Sequence, residues 1–370
     1  LNLKNIFRNN DIPVNRCNNF NILRISAAIM VIYGHMSHLA GFPVFTVYGQ
    51  AVSTIGVKIF FIISGYLITE SFLRDESVIR YTIRRFFRIV PGLVLLCFVT
   101  VFIFGALLTR LPLKEYLFSP LTYNYFYNIL FKPMYFLPGV FENNIYPNAV
   151  NGSLWSLQIE VYMYIVMPLF IIVFKKFNFL KQGLILSAIF FTFLNIMKLL
   201  YFPNAVYVFW GNNIFDAIEL ISYFFVGAIF TFPRVKKLLN LQMSVAFAVV
   251  PLLMNIGYIK LSLILTLILP YFIFSYALSK NAIFAKIGMK NDYSYGLYLY
   301  GFLVQQVVMQ FLSSYKLSLN TYFLISTLLT LLCAVLSWHI IEKPFLGLGK
   351  KILNPKIQPS NVELKLENDY

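Results

Sequence analysis

Acidic residues are scarce in this chain. Against 30 Lys and Arg it carries only 14 Asp and Glu, and charged residues of both signs make up 12% of its 370 positions. So little charge cannot keep a chain of this length in water, which excludes a set of soluble domains. The three cysteines, Cys17, Cys97 and Cys333, lie far apart, two of them in apolar runs, so neither a disulfide framework nor a zinc site is indicated and no metal is expected. There is no Gly-rich nucleotide loop, no internal repeat and no stretch that reads as an appended soluble domain. The first 19 residues are polar and Asn-rich, without a short apolar core that ends in small residues. The first apolar run is therefore expected to direct insertion and to remain in place.

Apolar residues are abundant, at 59% with a mean hydropathy of +0.74. Runs long enough to cross about 30 Å of hydrocarbon recur near 20–39, 50–73, 88–108, 153–174, 183–202, 213–232, 241–258, 261–279, 295–313 and 321–341. The expectation is an all-α integral membrane protein of about ten transmembrane helices. Its basic residues cluster beside alternate ends of these runs, which by the positive-inside rule puts both termini in the cytoplasm. The net charge of +16 is thus a topology signal, and no nucleic-acid partner is expected. Residues 1–19 read as a cytoplasmic segment, 20–347 as the membrane domain and 348–370 as a polar cytoplasmic tail. The long outer connection, 109–152, is rich in Tyr, Phe, Pro and Asn and reads equally as an interfacial lid or re-entrant stretch, or as an aromatic belt at the headgroups.

Ionisable groups inside spans are costly and by default mark a site. The stretch FNILRISAAIMVIYGHMSH sets Arg24 and His35 eleven helical steps apart, within about 20° of one face and about 16 Å apart along the axis. Glu160, about seven residues into the fourth run, is expected at the depth of His35, where a carboxylate would orient the imidazole as a general base. Lys58 in the second run needs a carboxylate partner or a water-filled cavity, Glu160 being one candidate partner. The Ser64-Gly65 pair reads as close helix packing, because no base accompanies Ser64 at helical spacing. Asn151, Ser153, Trp155 and Ser156 are candidates for an outer, substrate-binding mouth together with Lys58, with helix capping as the plainer reading of the polar ones. Asp216 and Glu219 are candidates to line an outer vestibule, a helix cap accounting equally well for Asp216, while His38 reads as interfacial, and His339 and Glu342 as structural. At the inner side Arg85 and Arg88, three apart, form a fork suited to phosphate with Arg24 at similar depth, whereas Arg80 and Arg84 read as ordinary topology-setting charge.

These motifs, with GVKIFFIISGYLI, RRFFRIVP, SLWSLQIEVYMYIVMP, SYGLYLYG and HIIEKPF, span residues 18 to 347 in order. Together they resemble the membrane-bound acyltransferase-3 family, which includes bacterial O-antigen and exopolysaccharide O-acetyltransferases. The resemblance implies a multi-pass enzyme of the bacterial inner membrane. It would take acetyl from cytoplasmic acetyl-CoA and deliver it to a hydroxyl of a cell-surface glycan, lipid-linked or free. Arg24 and His35 match the family's Arg/Lys-x10-His motif, Arg85 and Arg88 its Arg-x-x-Arg motif, and Glu160 its acidic position after SLW. Many members have an acid where Lys58 stands. An exporter of polysaccharide or acyl groups would also need intramembrane charge and many helices, and is the alternative reading.

Overall fold

The computed structural model describes residues 19–203, 205–254, 257–279, 288 and 291–353. The expectations for 1–18, including Cys17, and for 354–370 lie outside the described residues. A helix stands at each of the ten expected positions. They are α1 (Phe20–Leu39), α2 (Val52–Asp75), α3 (Val78–Leu108), α4 (Trp155–Lys176), α5 (Leu180–Tyr201), α6 (Ile214–Ile229), α7 (Leu241–Leu253), α8 (Tyr258–Ala277), α9 (Ser294–Leu312) and α10 (Leu319–Leu353). Seven helices among the described residues are long and apolar enough to cross a membrane. Of the others, α6 and α7 are short. Helix α9 is made more polar by Gln305, Gln306 and its tyrosines, and these are accommodated because Gln305 and Gln306 are fully buried against protein. The chain is an all-α, multi-pass membrane protein.

Helices α2 and α6 cross with their backbones nearly touching. A Cβ on Gly65 would lie 1.9 Å from the Phe224 carbonyl oxygen, and one on Gly227 would lie 2.1 Å from that of Ile62. This reciprocal contact is the packing role expected of Gly65. Each of α2 and α6 is entered from a two-residue antiparallel hairpin, Thr46–Val47 with Gln50–Ala51 and Val208–Phe209 with Asn212–Asn213. Both hairpins turn through an aromatic-Gly pair with positive φ, Tyr48-Gly49 and Trp210-Gly211, the backbone that a tight hairpin of this twist requires.

The connection between α3 and α4 combines both expected characters: it packs into the bundle as a re-entrant stretch does, and it leaves Phe118, Tyr123 and Tyr127 exposed. It folds into short helical turns, Leu113–Phe118, Pro120–Asn124 and Tyr125–Leu130, and buries Tyr116 and Tyr125 completely. A π-helical stretch, Thr100–Gly105, frees the Val101 carbonyl, and the Tyr116 hydroxyl donates to it at 2.9 Å. Asn144 donates to the carbonyl and the side-chain oxygen of Gln306, which in turn donates to the carbonyls of Tyr146 and Ala149. Asn151 reaches further down, donating to Leu299 O at 2.8 Å, close to the start of α9. The connection therefore sinks into the bundle. The start of α4 is accordingly fastened to α9 through Asn151 and Ser153.

Candidate functional site

A cavity opens between α1, α2, α3, α4 and α9. Its charged walls are Arg24 from α1, Arg85 and Arg88 from α3, and Glu160 from α4. The three arginines singled out in the sequence thus converge, because Arg85 and Arg88 share one face of α3 and Arg24 stands on the first turns of the adjoining α1. The Arg85 guanidinium lies over the rings of Tyr81 and Tyr164, 5.6 and 5.7 Å from their centroids, and donates to Ser71 Oγ at 3.3 Å. Arg88 lies 5.7 Å over the Tyr295 ring. Such stacking holds a guanidinium in place while leaving its edge nitrogens free. By contrast Arg80 and Arg84 are both paired with Asp75, at 3.2 and 2.6 Å, and fall outside the cavity lining.

Asp292, which the sequence reading passed over, sits at the mouth of this cluster. Its Oδ2 accepts from Arg88 at 2.7 Å and lies 3.1 Å from the Arg24 Nη2. Its Oδ1 accepts from the Ser294 amide and hydroxyl at 3.2 and 2.6 Å, at the start of α9. Burial alone would raise the Asp292 carboxyl, but Arg88 and Arg24, aided by the Ser294 donors, hold it down to about 2. Its contribution is complete above the ordinary value of 3.8 and is lost only as pH falls through about 2. The signal in the sequence was the spacing Asp292-x-Ser294 just before an apolar run, which reads as a helix-start motif.

Glu160 does not meet His35. Its Oε1 accepts from Ser64 Oγ at 2.6 Å and from the Tyr164 hydroxyl at 2.5 Å, inside the cavity. Helices α1 and α2 run antiparallel, with Gly34 against Ser53 and Gly56 against Ala27. That register carries Ser64 to the level of Arg24, about 16 Å from His35 along the axis. The expectation of a His35–Glu160 pair assumed that α4 starts at the opposite surface. The contact with Ser64 instead places Glu160 in the cavity that Arg24, Arg85 and Arg88 line. Ser64 consequently has a carboxylate beside it from another helix, which spacing along its own helix could not reveal.

His35 is half-buried near the far end of α1. Its ring meets the edge of Phe302, 5.3 Å between centroids at 77°, and Phe302 in turn packs against Gly152. Tyr298, one turn toward the arginines on α9, closes that end of the cavity, its hydroxyl 2.5 Å from both Ser153 O and Ser156 Oγ. His35 thus touches α9 at Phe302, one helical turn beyond Tyr298, the last residue of that helix to line the cavity. His38 lies against Tyr146 at 5.1 Å.

The residues expected at an outer mouth have other places. Asn151 and Ser153 are buried, bonded to each other and to Leu299 O and Tyr298 O, and so fasten the chain entering α4 to α9. Trp155 is half-buried, and its carbonyl accepts from Asn212 at 2.8 Å. Lys58 is fully buried and paired with Glu219 at 2.5 Å, not with Glu160. Glu219 and Asp216 also pair with Lys198, at 2.7 and 2.9 Å, which removes Glu219 from any open vestibule. Glu342 is buried and accepts from Ser337 at 2.9 Å, as a structural reading requires. Among the described residues no cluster of His, Cys, Asp and Glu could hold a metal ion.

Comparison with known proteins identifies the family. Residues 18–339 match the family model described as an acyltransferase domain, Acyl_transf_3. An O-acetyl transferase of Shigella phage Sf6 is 30% identical over 346 residues, covering 90% of this chain and 97% of the relative. A peptidoglycan O-acetyltransferase of Listeria monocytogenes is 31% identical over 135 residues, 33% of this chain and 20% of the relative. Nodulation protein 10 of Rhizobium leguminosarum is 26% identical over 200 residues, 46% of this chain and 48% of that protein. No solved structure matches. The chain belongs to the acyltransferase-3 family and is an O-acetyltransferase embedded in a membrane-spanning helical bundle.

Proposed function

We propose that the protein transfers acetyl from acetyl-CoA, bound from the cytoplasm, to a hydroxyl of a cell-surface glycan, an O-antigen or an exopolysaccharide, at the opposite face of the bacterial inner membrane. In this reading ten helices cross the bilayer, both termini are cytoplasmic, and the arginine end of the cavity is the cytoplasmic end. One observation carries it. Three guanidinium groups from two helices converge on a single cavity that extends along α9 toward the turn touching His35.

Arg24, Arg85 and Arg88 would hold the phosphates of the donor, for which the planar, forked guanidinium is suited. The pantetheine arm then lies along the cavity past Ser64, Glu160 and Ser156 toward Tyr298. The arm is about as long as the 16 Å rise from Arg24 to His35. Tyr298 lines the cavity and Phe302, one turn on, touches the imidazole, so in this reading the two rings move apart for the thioester to meet the acceptor. His35 removes the proton of the acceptor hydroxyl as its oxygen attacks the thioester carbonyl. The new C–O bond forms, the C–S bond breaks, and the thiolate of CoA leaves and takes up a proton. Glu160 serves on the donor side, held by Ser64 and Tyr164, rather than as the partner of His35. The names of the Sf6 and Listeria relatives support acetyl as the group moved and a hydroxyl as its destination.

Replacing His35 with Ala in purified protein of unchanged thermal stability should lower acetyl transfer to the acceptor by about 10²–10⁴-fold, the range for loss of a general base. Turnover within a few fold of wild type would remove His35 from the chemistry.

A further inference from the structure

Arg24 and Arg88 come from different helices, yet both present a terminal nitrogen to the same carboxylate oxygen, Asp292 Oδ2, at 3.1 and 2.7 Å. Arg24 uses the nitrogen that also donates to Asn21 Oδ1 at 2.5 Å. One nitrogen of each guanidinium is therefore committed to the protein, and the Arg24 Nε, buried, has no hydrogen-bond partner among the described residues. Two like charges this close, and largely out of water, would swing apart if left to themselves. What keeps them together is a carboxylate that is itself immobile, since Oδ1 is held by the Ser294 amide and hydroxyl at the first turn of α9. The same helix turn carries Tyr295, whose hydroxyl donates to Ile89 O at 2.8 Å and whose ring lies under Arg88.

We infer that Asp292 is a positioning residue for the donor site: it fixes Arg24 and Arg88 as a pair, so that their uncommitted N–H groups face one anion. The inference rests on the proposal that these arginines bind the phosphates of acetyl-CoA. Its physical basis is pre-organisation. A phosphate that finds two guanidinium groups already aligned does not have to order them, and that saving appears as affinity for the donor rather than as speed of the chemical step. Because Asp292 touches neither the thioester nor His35, its effect is confined to donor binding. The sign is also fixed. If the carboxylate merely competed with phosphate for the arginines, its removal would strengthen donor binding. If it aligns them, its removal weakens it.

The test is Asp292→Asn in full-length protein in detergent or proteoliposomes, with acetyl-CoA binding measured directly and turnover measured alongside. Asn is as good a helix-start residue as Asp, so the Ser294 contacts and the fold are retained while the charge is lost. The expected result is a roughly tenfold rise in Kd and KM for acetyl-CoA with kcat within about twofold of wild type. Ser294→Ala, which keeps the charge but loosens the carboxylate, should move KM in the same direction by a smaller factor and carries the test if the Asn variant does not accumulate. An unchanged or lowered KM, or a fall in kcat at constant KM, overturns the role of Asp292. If wild-type protein itself fails to bind acetyl-CoA, the donor-site proposal fails first, so the two failures are distinguishable.

Discussion

Lys58 illustrates at the scale of one residue what a buried charge requires. It is fully enclosed on the α6 side of α2 and is answered by Glu219 at 2.5 Å, by Gln50, and by the Tyr223 ring at 5.1 Å. Glu219 also serves Lys198, which is paired a second time with Asp216, so two lysines and two carboxylates balance. Removing the acid from such a set is worse than removing one base, because Lys58 is then a fully buried cation without a carboxylate, while Lys198 keeps only Asp216. Glu219→Ala is therefore expected to destabilise the protein by about 3–5 kcal/mol, whereas Lys58→Met, which leaves Glu219 with Lys198, should cost clearly less. Thermal unfolding of the detergent-solubilised variants measures this, and equal losses would contradict the shared role of Glu219. The need for a partner to Lys58 was legible in the sequence. Its identity was not, since the choice between Glu160 and Glu219 depends on which face of α2 meets which helix, and a nearly uniform apolar run does not record that.

At the scale of the element, the ten apolar runs mark helices because only a helix satisfies its own backbone inside lipid, a constraint strong enough to read without a structure. The ends were less legible. Helix α3 starts at Val78, ten residues before the expected 88, because its arginines lie on the helix and pair with Asp75 or stack on tyrosines rather than terminating it. Helix α10 runs on to Leu353 through a π-helical stretch, Trp338–Glu342. Least legible was the connection from 109 to 151. Its tyrosines and asparagines suit an interface as well as they suit a buried network, and only contacts with α9, more than a hundred residues away, decide between them. The crossing of α2 and α6 at Gly65 and Gly227 yields the prediction for this scale. Either glycine replaced by Val must push the helices apart where the added Cβ would lie about 2 Å from a carbonyl oxygen, so both variants should lose folded yield and thermal stability. Because Gly65 adjoins Ser64, donor binding should fall as well. A Gly227→Val protein that retains full stability in detergent would rule out backbone contact there.

At the scale of the whole molecule, the two halves of the proposed reaction are separated along the membrane normal. Arg24, Arg85 and Arg88, proposed to hold the anion, line the cavity, and His35 touches α9 one helical turn beyond Tyr298, the last residue of that helix in the lining. A single-sided enzyme would need no such separation. The most direct test is sidedness in proteoliposomes of defined orientation, with labelled acetyl-CoA and an acceptor glycan supplied on chosen sides. The account predicts labelled glycan only when acetyl-CoA is on the side bearing the Arg80–Arg88 end of α3 and the acceptor is on the other, with the signal lost in Arg88→Ala. Product formed equally well with donor and acceptor together on the His35 side would contradict it.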